Sequence, residues 1–298
     1  MTQIMTTALA LGASLLLTCS AAAQSAPSRF DLETGGKLLL TRGISEVGGA
    51  GGGGLTPWAL ITGNATDRGV GGTAHYTRLE LPDYSFQSYG AALGLYDRFE
   101  FSYARQEFDT GGTGALLGLG DGFTFAQDIW GAKVRLAGDA VYDQDRLMPQ
   151  IALGVQYKRN NQGAVITAIG GEEDSGYDVY LSGTKLFLAQ SLLVNATARL
   201  TNANQNGLLG FGGDQGDAHT LHGELSAGYM LSRRLIIGGE YRFMPDNLGF
   251  ARQDDWYDLF VAFAVNEHLT VTAAWADLGS IATFDRQRGV FLSLQAGF

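Results

Sequence analysis

Arg288-Gly289-Val290-Phe291-Leu292-Ser293-Leu294-Gln295-Ala296-Gly297-Phe298 alternates apolar residues with small or polar ones and then stops on an aromatic. Successive side chains of a strand point to opposite faces. Val290, Leu292, Leu294, Ala296 and Phe298 therefore share one face, and Phe291, Ser293, Gln295 and Gly297 share the other. One face suits lipid and the other a wet interior, which is the pattern of a transmembrane β-barrel wall. A terminal aromatic, here Phe298, is also the shape read by the barrel-assembly machinery of the outer membrane. A strand of a soluble sandwich alternates in the same way, so the reading needs the rest of the chain.

The other end agrees. Residues 8–17 form a short apolar run, followed by Ala21-Ala22-Ala23 before Gln24. The run is too short to span a bilayer, and the small-residue triplet supplies a cleavage site. This predicts a secretory signal peptide over residues 1–23 and a single mature barrel domain over residues 24–298. No Lys or Arg precedes the run, so only the amino terminus supplies positive charge, and a start at Met5 fits as well. Cys19 is the one cysteine, but Thr18 stands before it where lipoprotein signals carry Gly, Ala or Ser. With Cys19 in the signal, the mature chain holds no thiol and so no disulfide or cysteine ligand.

Composition separates a barrel from a helix bundle. Hydrophobic residues make up 45% of the chain and charged ones 17%, yet no stretch after the signal is continuously apolar over a membrane-spanning helix. The apolar residues are spread by alternation, as barrel strands require. A net charge of −10 argues against a nucleic-acid partner, which selects a basic surface.

The alternation recurs along the chain. Leu153, Val155 and Tyr157 oppose Gln156 and Lys158. Val194, Ala196 and Leu200 oppose Asn195, Thr197 and Arg199. Ile237 and Tyr241 oppose Glu240 and Arg242, and Leu259 and Val261 oppose Asp258. The connections alternate in length. Short ones lie at residues 97–98, 189–190, 232–233 and 266–267; long ones lie at 109–122, 160–176, 202–217, 244–254 and 279–287. That is the pattern of an all-β, up-and-down antiparallel barrel with short periplasmic turns and longer outer loops. We count fourteen strands, with twelve as the alternative, because residues 37–41 and 58–62 also fit an insert inside the lumen. Residues 177–187 are ambiguous as well: Lys185 and Phe187 share a parity, so one of them must be bulged or interfacial.

Gly36-Lys37-Leu38-Leu39-Leu40, Pro57-Trp58-Ala59-Leu60-Ile61, Ala137-Gly138-Asp139-Ala140-Val141, Thr184-Lys185-Leu186-Phe187, Gly207-Leu208-Leu209-Gly210-Phe211-Gly212-Gly213-Asp214 and Pro245-Asp246-Asn247-Leu248 carry a resemblance. Over nearly the whole mature chain the sequence resembles an uncharacterised family of Gram-negative outer-membrane β-barrels, catalogued as domain of unknown function 3034. The resemblance implies compartment and fold. It brings no activity and no catalytic residues.

Function has to come from inward charge. By parity, Lys133, Arg135, Lys158 and Arg199 form a basic wall of the lumen, and Glu224, Glu240 and Asp258 an acidic one, with Arg242 and Glu100 mixed in. Opposed walls set up a transverse field that orients and filters small solutes, so a passive porin-like channel is expected. The competing expectation is that these groups pair across neighbouring strands and fill the bore. Two near-repeated loops are apolar, one with Leu116, Leu117 and Leu119 and the other with Leu208, Leu209 and Phe211. They read as a constriction at the mouth, as a contact for a hydrophobic solute, or simply as loops tucked against the rim.

Two further functions stay open beside the channel: a closed structural or partner-binding barrel, and a transporter of hydrophobic compounds. No enzyme is expected. His75 with Thr77 and His268 with Thr270 only imitate the His and Ser spacing of a phospholipase site, and neither has a Ser. No cofactor and no metal are expected. The expected neighbours are outer-membrane lipid and lipopolysaccharide.

Overall fold

Alternation of this kind has one stable outcome in an apolar medium, a sheet that closes on itself and leaves no unpaired edge. The computed structural model describes residues 33–298; the signal peptide expected at residues 1–23, with Cys19, lies outside the described residues. Twelve strands close the barrel: β1 (Val70–Glu80), β2 (Ser85–Leu95), β3 (Phe99–Asp109), β4 (Thr124–Ala137), β5 (Gln150–Asn160), β6 (Ser175–Phe187), β7 (Leu192–Thr201), β8 (Thr220–Ser232), β9 (Leu235–Arg242), β10 (Trp256–Ala264), β11 (Leu269–Asp277) and β12 (Arg288–Gly297). Each pairs antiparallel with its neighbours in sequence, and β12 closes on β1 with Val290 opposite Glu80 and Gly297 opposite Thr73.

The decisive strand behaves as its sequence dictates. Val290, Leu292 and Leu294 of β12 are exposed on the outer wall, whereas Phe291, Ser293 and Gln295 are buried inside. A wall of exposed large hydrophobics is a surface built for lipid. Aromatic rings run round it from strand to strand. Trp130 lies 5.8 Å from Tyr103 and 5.9 Å from Tyr157, and Tyr257 lies 6.4 Å from Tyr241 and 5.8 Å from Trp275, between ring centroids.

Fourteen strands is corrected to twelve. Residues 37–41 and 58–62 are not wall. Residues 40–63 are buried inside the barrel, where the regular structure is one short pairing of Ile44–Ser45 with Gly51–Gly52. The reason lies in the sequence. Leu38-Leu39-Leu40 and Trp58-Ala59-Leu60-Ile61 put apolar side chains on both faces, whereas a wall strand needs one polar face for the lumen. This plug enters and leaves through one rim, called lower here, where Glu33 bridges to Gly69 and Gly36 to Ala65 beside the start of β1.

Tight turns at residues 96–98, 188–191, 233–234 and 265–268 also lie at the lower rim, and the longer loops at 110–123, 161–174, 202–219, 243–255 and 278–287 at the upper one. Two connections break the rule, residues 138–149 as a long lower one and residues 81–84 as a short upper one. The long lower one explains the ambiguity in β6. Lys185 is interfacial rather than bulged, its ammonium donating to the carbonyls of Asp139 and Met148, both at 3.3 Å. The bulge sits instead in β4, between Arg135 and Ala137.

Candidate functional site

Inward charge in the upper half of the lumen alternates in sign from strand to strand. Lys158 of β5 pairs with Asp178 of β6 at 2.8 Å, and Asp178 pairs with Arg199 of β7 at 3.0 Å. Arg199 pairs with Glu224 of β8, which reaches Arg242 of β9 at 3.3 Å. All five side chains are buried. Asn206 closes the ladder, its Oδ1 accepting from Lys158 at 2.6 Å and from Arg242 at 3.0 Å. The lumen therefore has no basic wall facing an acidic wall. Cations and anions interleave, because a buried charge is stable only beside an opposite one with its remaining hydrogen bonds satisfied. Arg135 stands apart at the lower rim, paired with Asp97 and with Asp139 at 2.9 Å.

The remaining inward groups hold the plug. A segment without regular structure leaves its own N–H and C=O groups unpaired, and burial makes each of them costly. The wall supplies the partners. Glu100 accepts the N–H groups of Gly51 at 2.9 Å and Thr62 at 2.8 Å. Lys133 pairs with Glu100 at 3.1 Å and donates to the carbonyls of Gly51 at 2.8 Å, Trp58 at 3.0 Å and Leu60 at 2.7 Å. Glu240 accepts from the Leu55 N–H at 2.7 Å and the Thr56 hydroxyl at 2.6 Å. Gln150 donates to the carbonyl of Ala59, Thr197 to that of Pro57, and Gln106 to that of Val47. Asp258, directly across the sheet from Glu240, is buried with its Oδ1 unpaired. A Cβ at Gly53 would stand 1.7 Å from a Glu240 carboxylate oxygen, so a larger residue there displaces the carboxylate that holds Leu55 and Thr56.

The two near-repeated loops part ways. Residues 202–213 dip into the mouth, with Leu208, Leu209 and Phe211 buried. Gln205, Asn206 and Gly207 are consecutive left-handed residues at φ 46°, 60° and 98°, a strained turn held by its side-chain bonds. The other loop opens with the short helix α1 (Thr113–Leu116) and stays on the rim, with Leu116 exposed and Leu117 and Leu119 half-buried. Sequence explains the difference. Asn202, Asn204, Gln205 and Asn206 bring amides that the buried charges can bind, whereas Thr110-Gly111-Gly112-Thr113 brings none.

At the lower rim the plug's entry meets a polar cleft of about 510 Å³ lined by Lys37, Asp97, Arg135 and Asp139 among others. Burial pulls the Lys37 ammonium below its ordinary value despite an ion pair with Asp97 at 2.7 Å. Burial pushes the Asp139 carboxyl up, but N–H bonds from Tyr142 and Val141 and the Arg135 guanidinium outweigh it and hold that group below the usual carboxylate value. His75 faces inward, with Nε2 3.3 Å from Ser88 Oγ, so it lies off the lipid face where a phospholipase site would stand.

The family of proteins of unknown function DUF3034 matches residues 41–295, which takes in both the plug and the wall. The chain belongs to this family. No curated protein matches the chain in sequence. Among solved structures, the DUF3034 barrel is similar to the KdgM porin, with a TM-score of 0.50 and 10% identity over 76% of this chain and 99% of the porin. It is also similar to the NanC porin, with a TM-score of 0.48 and 7% identity over 76% and 98% of the two chains. Outer membrane phospholipase A from Escherichia coli has a TM-score of 0.40 and 9% identity over 76% and 92%. At such identities the likeness is one of fold, a closed antiparallel β-barrel.

Two parts of the site in this DUF3034 barrel are absent from the sequence reading. Asp178, which bridges Lys158 and Arg199, lies on the ambiguous strand β6, although its alternation with Tyr177 and Val179 marks it as inward. Asn206 lies in a loop, where parity does not apply. The polar run from Asn202 to Asn206 was the available signal.

Proposed function

We propose that the protein is a gated outer-membrane conduit, closed at rest by its own residues 40–63, rather than a passively open pore. One observation carries this reading: the charged side chains expected to meet solute meet the chain's own backbone instead. The plug enters and leaves at one rim, so it can withdraw downward without breaking any wall pairing. Withdrawal would leave Lys133, Glu100, Glu240 and Asp258 facing a wet bore with the interleaved ladder above them, a lining for small polar solutes. The exposed apolar wall and its aromatic girdle support a place in the Gram-negative outer membrane. Lipopolysaccharide would then surround the upper rim, and the barrel-assembly machinery would meet the strand that ends at Phe298.

The test is planar-bilayer conductance of refolded residues 24–298 beside Gly53→Val, whose side chain displaces the Glu240 carboxylate that anchors the seated plug. Silence from the wild-type barrel and conductance from Gly53→Val are expected. Steady conductance by the wild type at rest would overturn the closed state. Silence from both, with both heat-modifiable, would overturn gating and leave a structural barrel.

A further inference from the structure

Glu46 opens the turn between the two short strands of the plug, its N–H donating to the Ala50 carbonyl at 2.9 Å and its carbonyl accepting from the Gly49 N–H at 2.7 Å. The residue is 1% exposed. Its carboxylate accepts from the Gln156 amide of β5 at 3.1 Å, and the oxygen of that amide accepts from Arg199 of the ladder at 2.9 Å. The other carboxylate oxygen has no partner. The cations of the ladder pair with Asp178 and Glu224, so the Glu46 charge acts on Arg199 and Arg242, and on Lys133, without a direct ion pair.

A carboxylate buried without a direct ionic partner costs stability. Charge balance explains this one. Three cations against two anions leave the ladder with one positive charge in excess, and Glu46 supplies the balancing negative charge. That charge comes from the plug and not from the wall, so it departs when the plug departs. Withdrawal also releases the Gln156 amide N–H and the Arg242 Nη1, which donates to the Leu55 carbonyl at 3.3 Å in the seated state; Arg199 Nη2 lacks a partner already. We infer that the ladder is a binding site for a small carboxylate solute, and that Glu46 fills it with the chain's own carboxylate while the plug is seated. A carboxylate only accepts hydrogen bonds, which suits a set of N–H donors, and its single negative charge matches the excess. The inference rests on the gated-conduit reading for how a solute reaches the ladder, but not for the chemistry that the ladder accepts.

The test gives back the missing piece. Beyond its Cβ, Glu46 has the heavy atoms of acetate, so Glu46→Ala leaves an acetate-sized gap beside Gln156. The variant is refolded with sodium acetate, with acetamide, or with sodium chloride alone, at equal ionic strength. Glu46→Ala is expected to show a lower temperature of heat modification than the wild type, and acetate to raise it saturably, whereas acetamide and chloride leave it low. The wild type and Glu46→Gln, in which the gap is filled, are expected to ignore acetate. Adding Gln156→Leu to Glu46→Ala removes a donor to the anion and is expected to raise the half-saturation about tenfold. Recovery as strong with acetamide as with acetate, an equal acetate effect on the wild type, or no recovery at all overturns the site and leaves Glu46 as packing. The open pore supplies a readout that does not need Glu46→Ala to fold. Acetate is expected to lower the chloride current through Gly53→Val saturably, and acetamide to leave it unchanged; a current indifferent to acetate overturns the site. Recovery of Glu46→Ala by acetate where Gly53→Val stays silent keeps the site and overturns the conduit alone.

Discussion

Replacing Lys133 with Met is expected to unseat the plug. The ammonium, buried with the Glu100 carboxylate, ties three plug carbonyls to the wall at 2.7 to 3.0 Å. Met keeps the bulk and removes every one of these bonds. Breaking a buried ion pair from one side costs roughly 3–5 kcal/mol, because the partner charge stays behind. Each carbonyl left unpaired adds about 1–3 kcal/mol, and such losses do not add in full. We take a combined loss of about 5 kcal/mol in the closed state, which the open state escapes because water reaches these groups. At about 1.4 kcal/mol per tenfold, the closed-to-open ratio falls by roughly three to four powers of ten. Single-channel recording should show long openings where the wild type is silent, and protease added at the lower rim should cut within residues 40–63. Lys133→Met with Glu100→Gln removes the orphaned charge and should recover part of the closed population. A Lys133→Met barrel as silent and as protease-resistant as the wild type, at equal heat-modifiability, would refute the reasoning. So would identical behaviour of the single and double variants.

Three further outcomes are expected. Asn206→Ala strips an acceptor from Lys158 and Arg242 and should cost about 2–4 kcal/mol, read as a lower temperature of heat modification, whereas Asn206→Asp should cost less because the ladder carries three cations against two anions. Because the Asp139 pKa is depressed, the order it gives residues 138–149 is complete above the ordinary carboxylate range and lost as pH falls through its own lower value. The Val141 and Tyr142 amide resonances should therefore move as pH falls below the ordinary carboxylate range in the wild type and stay flat in Asp139→Asn. Phe298→Ala should lower the heat-modifiable fraction in cells while refolding into micelles is unchanged; equal losses in both would assign Phe298 to stability instead of recognition.

Strand faces are legible in this sequence because lipid and lumen impose opposite chemistry at a two-residue period. Lys158, Arg199 and Glu240 point inward in the structure as their parity dictates. What occupies the interior is a different matter. A wall residue facing water and one facing a plug backbone are both polar, since each must satisfy a hydrogen-bonding neighbour. Glu100 and Lys133 therefore read the same whether the bore is full or empty. The plug betrays itself only by failing to alternate: the Leu38 to Leu40 run and the Trp58 to Ile61 run are apolar on every side because a segment within a barrel is enclosed on every side. Pairing is also beyond parity. Alternation sends Arg199 inward but does not say that it reaches both Asp178 and Glu224; the registers of β7 against β6 and against β8 do.

The Phe298 carbonyl accepts the N–H of Asn64 at 2.9 Å, where the plug leaves the lumen, and the N–H of Gly72 at 3.1 Å, on the first strand. One atom thus fastens the filling to the seam, and the order of the chain becomes an order of assembly. Residues 40–63 precede every wall strand, so the sheet either rolls up around them or admits them from below once it has closed. The clasp makes these routes unequal, because only a plug tail already beside the closing seam adds its Asn64 N–H to the Phe298 carbonyl as the seam forms. A barrel rolled without its filling is expected to show the omission first at the join between β1 and β12.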